Sequence, residues 1–345
     1  MPDLTSPFIF ALTNPGSAMP LKQEIKDYGL GWRPSFQRRG FVTFKSSTDD
    51  EPFTLQSLEV PFIFARRLCL SLGKATNRAE ALALIENAAI SATSTVDGSG
   101  DTLLHELRWN ERRLDRVSED SRLPVVIGQG IGTLVELGPE EFWAGFHLHA
   151  PTLSPDPGGM GGLILPEESP SRAWLKLEEA VRFFGLHFDE GEIVVELGCA
   201  PGGVILALLQ RGVSVIGVDP AKLNPVVMTS AVPELPRAPL DHPWVYHCRK
   251  PAALVAKRDL GQQVSWFMSD MNQSPEVALK ECARMIKMCP AIRSALITLK
   301  LSDFAQAADR PKWFQSLREM GFRKMRLQQL AVHHHELALL ATDRR

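Results

Sequence analysis

Short apolar runs alternate with amphipathic stretches throughout the second half of the chain. Runs at 193–197, 213–218, 244–246, 264–268 and 295–299 predict buried strands. An amphipathic stretch at 274–288 opens with a Ser-Pro pair, which is typical of a helix N-cap and first turn. Segments 323–330 and 335–341 predict two more strands, paired as an antiparallel hairpin. The pattern predicts an α/β fold with a doubly wound sheet from about residue 166 onwards.

The first half of the chain has fewer and more scattered elements. We predict strands at 8–12, 40–45, 125–137 and 142–149, helices at 21–28 and 77–89, and a loop at 91–100. Asn77 suits the N-cap of the second helix. These elements predict a smaller α+β region. Pro, Gly, Ser and Asp dominate 151–162, which is the best linker candidate between the two halves.

The composition indicates the general class of protein but does not indicate its function. With 44% hydrophobic and 23% charged residues, the chain has the balance of a soluble globular protein. We expect no secretory signal and no membrane span, because no apolar run approaches roughly 20 residues. The five cysteines lack paired metal-ligand spacing, and adjacent histidines at 333–335 would alternate between the faces of a strand. We therefore expect free thiols, a cytoplasmic location and no metal.

A glycine-rich segment follows the first strand of the second half. It consists of Glu196, Leu197, Gly198, Cys199, Ala200, Pro201, Gly202 and Gly203, and it leads into an apolar helix. Glycine lets the backbone adopt positive φ and approach a ligand closely, and such sheets bind ligands at the carboxyl ends of their strands. Asp219 ends the next strand, about 20 residues further on, where an acid can accept hydrogen bonds from the hydroxyls of a ribose. We predict a cofactor with a ribose, bound by this segment and Asp219.

A nicotinamide dinucleotide is the competing interpretation of this loop. Such a cofactor needs glycines and free backbone amides where its pyrophosphate meets a helix N-terminus. Ala200 and Pro201 occupy that place, so the phosphate cradle is poor. A cofactor with a ribose and no pyrophosphate fits better, and S-adenosylmethionine has this chemistry. The remaining alternative, a glycine-rich turn without a ligand, is disfavoured by the accompanying acid.

Four charged residues of the second half stand at positions that suggest a common site. Lys176 lies on a predicted helix before the first strand, Asp270 ends the fourth strand and Lys300 ends the fifth, while Glu336 begins the last strand. Because the carboxyl ends of parallel strands meet at one edge, Asp270 and Lys300 are directed to the edge where the cofactor is expected. Each alone could be an ordinary surface ion pair, but the four together predict a catalytic group.

The sequence resembles a known enzyme family at these residues. The segments SRAWLKLEEA, ELGCAPGG, GVDP, SDM, TLKL and HHELAL occur in the order found in the FtsJ-like ribose 2′-O-methyltransferases. The likeness is greatest to the branch that methylates a cytidine ribose in large-subunit ribosomal RNA. It implies a Rossmann-like, S-adenosylmethionine-dependent domain with Lys176, Asp270, Lys300 and Glu336 as catalytic residues and Asp270 also at the cofactor. It further implies RNA, ribosomal RNA in particular, as the partner; a monomer is the simplest expectation.

The resemblance extends weakly into the first half of the chain, at 8–16 and 61–67. It implies a ferredoxin-like module at 1–75, a reduced THUMP-like RNA-binding region at 76–150, a linker at 151–165 and the methyltransferase domain at 166–345. The family often holds the adenine amino group with an acid after its third strand. Here Arg249, Lys250 and Pro251 stand near that place, so adenine recognition would rest on backbone groups or on Asp259.

The chemistry of ribose methylation suggests a role for each of the four charged residues. The hydroxyl must be aligned with the methyl donor and relieved of its proton. We expect Lys300 to contact the 2′-oxygen and stabilise its negative charge, and Asp270 and Glu336 to hold the two lysines. Lys176 completes the network or contacts RNA phosphate. Whether Lys300 also accepts the proton stays open, because carboxylate neighbours raise a lysine pKa and burial lowers it.

Two other functions are compatible with the sequence. The first is a methyltransferase of the same fold that acts on an mRNA cap, transfer RNA or a small molecule. The second is a non-catalytic RNA-binding protein, which has no need of two lysines and two acids at strand ends. The formal net charge of −2 decides nothing, so RNA affinity must come from a local patch. Arg38 and Arg39, near the aromatic residues Trp32 and Phe36, are the expected part of that patch in the first half.

Overall fold

The computed structural model of the protein describes residues 4–47, 51–93, 102–117, 125–238, 240–261 and 263–345. The chain forms two compact units, Met1–Gly162 and Leu163–Arg345. In these described ranges, every helix is too short or too polar to cross a membrane. The boundary between the units lies at the end of the Pro- and Gly-rich segment.

The first unit contains an eight-stranded sheet and a two-stranded sheet. Its strands are β1 (Thr5–Ser6), β2 (Phe8–Leu12), β3 (Arg33–Arg38), β4 (Phe41–Lys45), β5 (Phe53–Thr54), β6 (Arg67–Ala75), β7 (Leu103–Trp109), β8 (Leu114–Arg116), β9 (Gly130–Gly138) and β10 (Glu141–Leu148), and its α-helices are α1 (Ala18–Asp27) and α2 (Arg78–Thr93). The sheet order is β3-β4-β2-β6-β10-β9-β7-β8, while β1 pairs with β5. Ala81 and Ile85 of α2 are buried together with Leu134 and Phe142 of the sheet.

The α+β character predicted for the first half is confirmed, with shifted element ends. Asn77 caps α2, because its Oδ1 accepts a hydrogen bond from the amide of Glu80 at 3.0 Å. Strand β3 was not predicted, because it is mostly exposed, contains a proline and lacks apolar alternation. The strand predicted at 125–137 begins only at Gly130, and most of the loop predicted at 91–100 lies outside the described residues.

Strands from both predicted modules of the first half share one sheet. Strand β6, from the proposed ferredoxin-like module, pairs with β10, from the proposed THUMP-like region. The division of this half at residue 75, and the names of its two modules, remain predictions.

A buried cluster of basic residues lies on strands β6, β7 and β10. The Arg67 side chain is 1% exposed, and its Nη1 lies 2.8 Å from His147 Nε2. Its Nη2 donates to the carbonyl oxygens of Ser154 and Asp156 at 2.6 and 2.8 Å. Burial, reinforced by the charge of Arg67, lowers the pKa of His105 to about 3 and the pKa of His147 well below its ordinary value. Both imidazoles are therefore neutral at neutral pH.

Acidification should destabilise the first unit. An unfolded histidine takes up a proton below about pH 6.5, whereas folded His105 stays neutral down to about pH 3. The unfolded state therefore binds more protons between these values, and stability is lost as the pH falls through this window. Peptide-resolved hydrogen exchange of the full chain, corrected for intrinsic rates, should show weaker protection in the first unit at about pH 5 than at about pH 7.

The matched variants for this prediction are His105→Gln and His187→Gln. The first removes a buried titrating group and should weaken the pH dependence. The second changes a histidine whose side chain is 86% exposed and should leave that dependence intact. Equal protection of the first unit at both pH values would contradict the prediction.

The second unit contains the seven strands that the apolar pattern predicted. They are β11 (Ile193–Leu197), β12 (Ser214–Val218), β13 (Val245–Cys248), β14 (Val264–Ser269), β15 (Ser294–Lys300), β16 (Phe322–Gln328) and β17 (Glu336–Arg344), and the α-helices are α3 (Ala173–Phe184), α4 (Gly203–Leu209), α5 (Pro225–Met228), α6 (Pro275–Met288) and α7 (Arg310–Glu319). The sheet order is β13-β12-β11-β14-β15-β17-β16. Strands β11 to β15 are parallel, and β17 is antiparallel to both β15 and β16. The predicted fold class is confirmed.

Helices α3 and α4 bury one face of this sheet. Phe183 of α3 and Ile205 of α4 belong to the same hydrophobic cluster as Val194 of β11. Helix α7 was not predicted from the sequence. Its buried residues are Trp313 and Leu317, which are too few to produce a clear helical pattern of apolar positions.

Candidate active site

The turn between β11 and α4 brings backbone to the carboxyl edge of the sheet. Gly198 and Gly202 have φ angles of 77° and 113°, in the region that side chains disfavour. A Cβ on Gly198 would lie 2.9 Å from the Cα of Met271, and a Cβ on Gly203 would lie 2.9 Å from the amide nitrogen of Trp174. Glycine is required here because the loop lies against the backbone of its neighbours.

Asp219, directly after β12, supports this loop. Its Oδ2 accepts a hydrogen bond from the amide of Ala200 at 3.1 Å, and its Oδ1 accepts one from the amide of Ala221 at 2.8 Å. A carboxylate has about four acceptor positions, and Asp219 is half-buried. It can therefore hold the loop and still accept hydrogen bonds from a ligand.

The four charged residues singled out in the sequence form a square of alternating charges. Lys176 Nζ lies 3.0 Å from Asp270 Oδ2 and 3.0 Å from Glu336 Oε2. Lys300 Nζ lies 2.6 Å from Asp270 Oδ1 and donates a second hydrogen bond to Glu336. Each lysine thus contacts both carboxylates. All four side chains are between 15% and 20% exposed, so one side of the square remains accessible.

Pairing of β15 with β17 and a contact from helix α3 set the geometry of this square. Lys300 and Glu336 are direct partners in the antiparallel register, which places their side chains side by side. Glu179 lies three residues after Lys176 on α3, and its two carboxylate oxygens accept hydrogen bonds from the amides of Ala331 and Val332, each at 2.9 Å. Helix α3 therefore presents Lys176 and also fixes the segment that leads to Glu336.

Burial and ion pairing act on these groups in opposite directions. Burial lowers the pKa of Lys300, but the charges and hydrogen bonds of Asp270 and Glu336 outweigh burial and raise its net pKa. Burial raises the pKa of Glu336, but hydrogen bonding from Lys300 and the charges of both lysines bring it down to about 2. At neutral pH Lys300 is therefore an ammonium ion. It can donate hydrogen bonds, and it cannot accept a proton until it has lost one.

A small cavity lies under the square, between helix α3 and the sheet. Its volume is about 30 Å³, and its lining includes Lys176, Asp270, Glu196, Thr298 and His333. His333 is 3% exposed, and burial is the main reason that its pKa falls to about 4. A neutral imidazole and a second buried acid therefore lie beside the charged square.

Comparison with known proteins shows that part of the second unit is similar to one family. Residues 170–302 match the profile of the family described as FtsJ-like methyltransferase. Proteins named ribosomal RNA large subunit methyltransferase M also align with the chain. The one from Halorhodospira halophila is 30% identical over 168 residues, covering 48% of this chain and 41% of the relative. The one from Laribacter hongkongensis is 26% identical over 317 residues, covering 84% of this chain and 82% of the relative.

Residues 170–302 of the second unit are thus similar to an FtsJ-like methyltransferase domain. A third relative of the same name, from Marinobacter nauticus, is 42% identical over 91 residues, a quarter of each chain. The chain thus spans less than half the length of two of these three relatives. Among solved structures, a ribosomal RNA methyltransferase from Plasmodium falciparum is 14% identical, with a TM-score of 0.35, over 50% of this chain and 97% of that one. TrmN from Thermus thermophilus is 14% identical, with a TM-score of 0.32, over 97% and 99%.

The FtsJ-like domain places the predicted cofactor residues at one edge of the sheet, at different depths. Pro201 is exposed, and Gly198 and Ala200 are half-buried. Cys199 and Glu196 are 3% and 2% exposed, so their side chains lie beneath the loop surface. The assignment of these residues, and of the four charged ones, to a cofactor and to catalysis remains a prediction.

The residues weighed for adenine recognition bind each other. Lys250 Nζ lies 2.7 Å from Asp259 Oδ1, and Asp259 Oδ2 accepts a hydrogen bond from the amide of Ala256 at 2.9 Å. The hydrogen bond from Lys250 is the main reason that the pKa of Asp259 is lowered. Both carboxylate oxygens of Asp259 thus have partners in the FtsJ-like domain, and Arg249 is exposed.

Two features of the site were not found from the sequence. Glu179 carries a signal that could have been used, because its spacing of three from Lys176 places both on one side of a helix. The cavity beneath the square has no such signal in the sequence, since its walls come from α3, α4, four strands and the segment before β17. For metals, the described residues contain no group of three or more His, Cys, Asp or Glu side chains suited to hold an ion.

The contact of Gly203 with α3 generates a test of the loop. Gly203→Ala should destabilise the protein by about 1–3 kcal/mol, because the added methyl would meet backbone atoms of Ser171 and Trp174 at 2.9 Å. Gly261→Ala is the matched control, since a Cβ there meets nothing within 4 Å. Urea unfolding of both variants measures the difference. Equal stability of the two would show that the loop can move away from α3 at no cost.

Proposed function

We propose that this protein is an S-adenosylmethionine-dependent methyltransferase that modifies a ribose 2′-hydroxyl of large-subunit ribosomal RNA. The square formed by Lys176, Asp270, Lys300 and Glu336 carries the proposal. It holds an ammonium group at the carboxyl edge of the sheet, beside the glycine loop. Such a preorganised charge is suited to an oxygen that becomes negative during the reaction.

The residues at this edge fit S-adenosylmethionine. Asp219 retains acceptor capacity for ribose hydroxyls, and Gly198 and Gly202 allow close approach of the backbone. Pro201 has no amide proton, so the loop is poorly suited to a pyrophosphate. When bound, the cofactor supplies a methyl group on a positively charged sulfur. The acids at this edge, Asp219 and Asp270, suit a ligand of positive charge.

The square orients and activates the nucleophile in this mechanism. The Lys300 ammonium donates a hydrogen bond to the 2′-oxygen and stabilises the charge that develops as its proton departs. Asp270 and Glu336 fix Lys300 from two directions, and Lys176 balances their second negative charge. Because Lys300 is protonated beforehand, its contribution is electrostatic, and the hydroxyl proton leaves by another route.

The choice of RNA substrate rests on the relatives and on the first unit. The relatives' shared name states a large-subunit ribosomal RNA activity. In the first unit, the edge strand β3 presents Arg38, whose guanidinium carbon lies 4.6 Å from the centroid of the Phe36 ring. Arg38 is 53% exposed and is also paired with Glu141. An exposed basic group of this kind suits an RNA phosphate.

Lys300→Ala should lower the rate of methyl transfer by about 100- to 1,000-fold, the usual effect of losing one donor to a developing oxyanion. Cofactor affinity, measured by calorimetry, should remain, because Lys300 acts on the RNA oxygen. Lys324→Ala changes a lysine whose side chain is 76% exposed and should retain full turnover. Ordinary turnover by Lys300→Ala would remove Lys300 from the mechanism.

The substrate is tested in cells. Mapping of 2′-O-methyl groups in ribosomal RNA should show a position that is methylated with the gene and unmethylated without it. The wild-type gene should restore that methyl group, and a gene carrying Lys300→Ala should not. Identical maps in all strains would exclude ribosomal RNA as the substrate, while in vitro cofactor binding would still report on the enzyme class.

A further inference from the structure

Glu196 is a buried acid whose surroundings do not favour its charge. It lies on β11 and is 2% exposed. Its Oε2 has no hydrogen-bond partner among the described residues. A carboxylate in such a place loses its hydration without gaining donors in return, which is costly. Protonation removes that cost.

The charges around Glu196 act in the same direction. Burial is the main reason that the pKa of Glu196 lies well above its ordinary value, and the negative charges of Asp270 and Asp219 raise it further. The titratable groups that face it from the surrounding elements are Lys176 on α3, Cys199 in the glycine loop, Asp219 after β12, Asp270 after β14 and His333 before β17. The two lysines of the square are each already shared by Asp270 and Glu336.

The cavity connects Glu196 to the reactive edge of the domain. Glu196, Lys176 and Asp270 line the same space of about 30 Å³. That volume is sufficient for one water molecule, and although much of the lining is apolar, Glu196, Asp270 and Thr298 provide hydrogen-bonding groups. A proton on Glu196 therefore has a short path toward the square and the cofactor edge.

We propose that Glu196 is a proton reservoir, which holds a proton in the cofactor-free protein and releases it when the positively charged sulfonium of S-adenosylmethionine binds. The inference rests on the proposed function. A cation near Asp219 and Asp270 offsets their charge, so the pKa of Glu196 falls by the part that these two acids contribute, although its burial persists. The demethylated cofactor has a neutral sulfur and does not produce this effect.

The proton balance of the reaction follows from this role. During methyl transfer the bond from sulfur to the methyl carbon breaks, the bond from the 2′-oxygen to that carbon forms, and the hydroxyl releases one proton. The positive charge of the sulfur disappears in the same step. Glu196, ionised until then, takes up one proton, so the buried charge and the cofactor charge vanish together. Because Glu196 is buried beneath the loop surface, its role in this step is to hold or release a proton, and it is not proposed as a catalytic residue.

The first test concerns stability and needs no cofactor. An unfolded glutamate releases its proton above about pH 4.5, while folded Glu196 retains it, so folding is increasingly penalised as the pH rises from there toward the raised pKa. Glu196→Gln keeps the shape of the neutral acid and removes this penalty. The variant should be more stable than wild type at about pH 8, with a difference that shrinks toward about pH 4.5. A variant that is less stable at about pH 8 would overturn the proposal.

The second test measures protons during binding. Calorimetric titration of the wild-type full chain in buffers of different ionisation enthalpy should show release of up to one proton with S-adenosylmethionine and less with S-adenosylhomocysteine. Glu196→Gln should bind both without this difference. Glu190→Gln, which changes an exposed glutamate of the same domain, should behave as wild type.

The outcomes of this titration distinguish failure of the reservoir proposal from failure of the proposed function. If wild type binds neither compound, the proposed function fails. If it binds both with equal proton release, the proposed function stands and the reservoir is wrong. A release difference that persists in Glu196→Gln also overturns the proposal, because another group would then be titrating. Even if Glu196→Gln does not fold, equal proton release by wild type with the two compounds overturns the reservoir.

Discussion

Mutual neutralisation of two lysines and two acids is the constraint on which the second unit depends. Lys176, Asp270, Lys300 and Glu336 are mostly buried, and each ammonium contacts both carboxylates. Removing one member leaves an uncompensated buried charge, which is strongly destabilising in general. The helix, the strand ends and the loop that carry them must therefore meet at one point. The arrangement that suits chemistry is also the one that satisfies these charges.

A layer of buried polar side chains lies beneath the square. Helix α3 supplies Lys176 to the square, and Glu179 of the same helix accepts hydrogen bonds from the segment before β17. Below them lie His333 and Glu196, which are both buried; burial lowers the pKa of His333 and raises the pKa of Glu196. The domain thus has an upper layer, in which opposite charges compensate each other, and a lower layer, in which burial disfavours the charged forms.

The sequence predicted what repeating patterns and strand ends determine. Asp270 and Lys300 could be placed at one edge because parallel strands share a direction, and Asn77 could be recognised as a cap from its position before a helix. Strand β3 was not predicted because an exposed edge strand needs no apolar alternation. Helix α7 was not predicted because few of its residues are buried. The contact of Glu179 with Ala331 and Val332 joins residues more than 150 positions apart. The burial of Glu196 likewise depends on how α3 packs, which local sequence does not encode.

Strand order has a consequence for how the protein matures. In the sheet, β17 lies between β15 and β16, although both precede it in the chain. Neither neighbour can complete its hydrogen bonding until β17 enters the gap between them. Glu336 is the first residue of β17, so the square is complete only once β17 has paired with β15. During synthesis, a nascent chain lacking β17 would display two lysines facing one carboxylate. The charges of the site therefore become balanced only after β17 has been made and has joined the sheet.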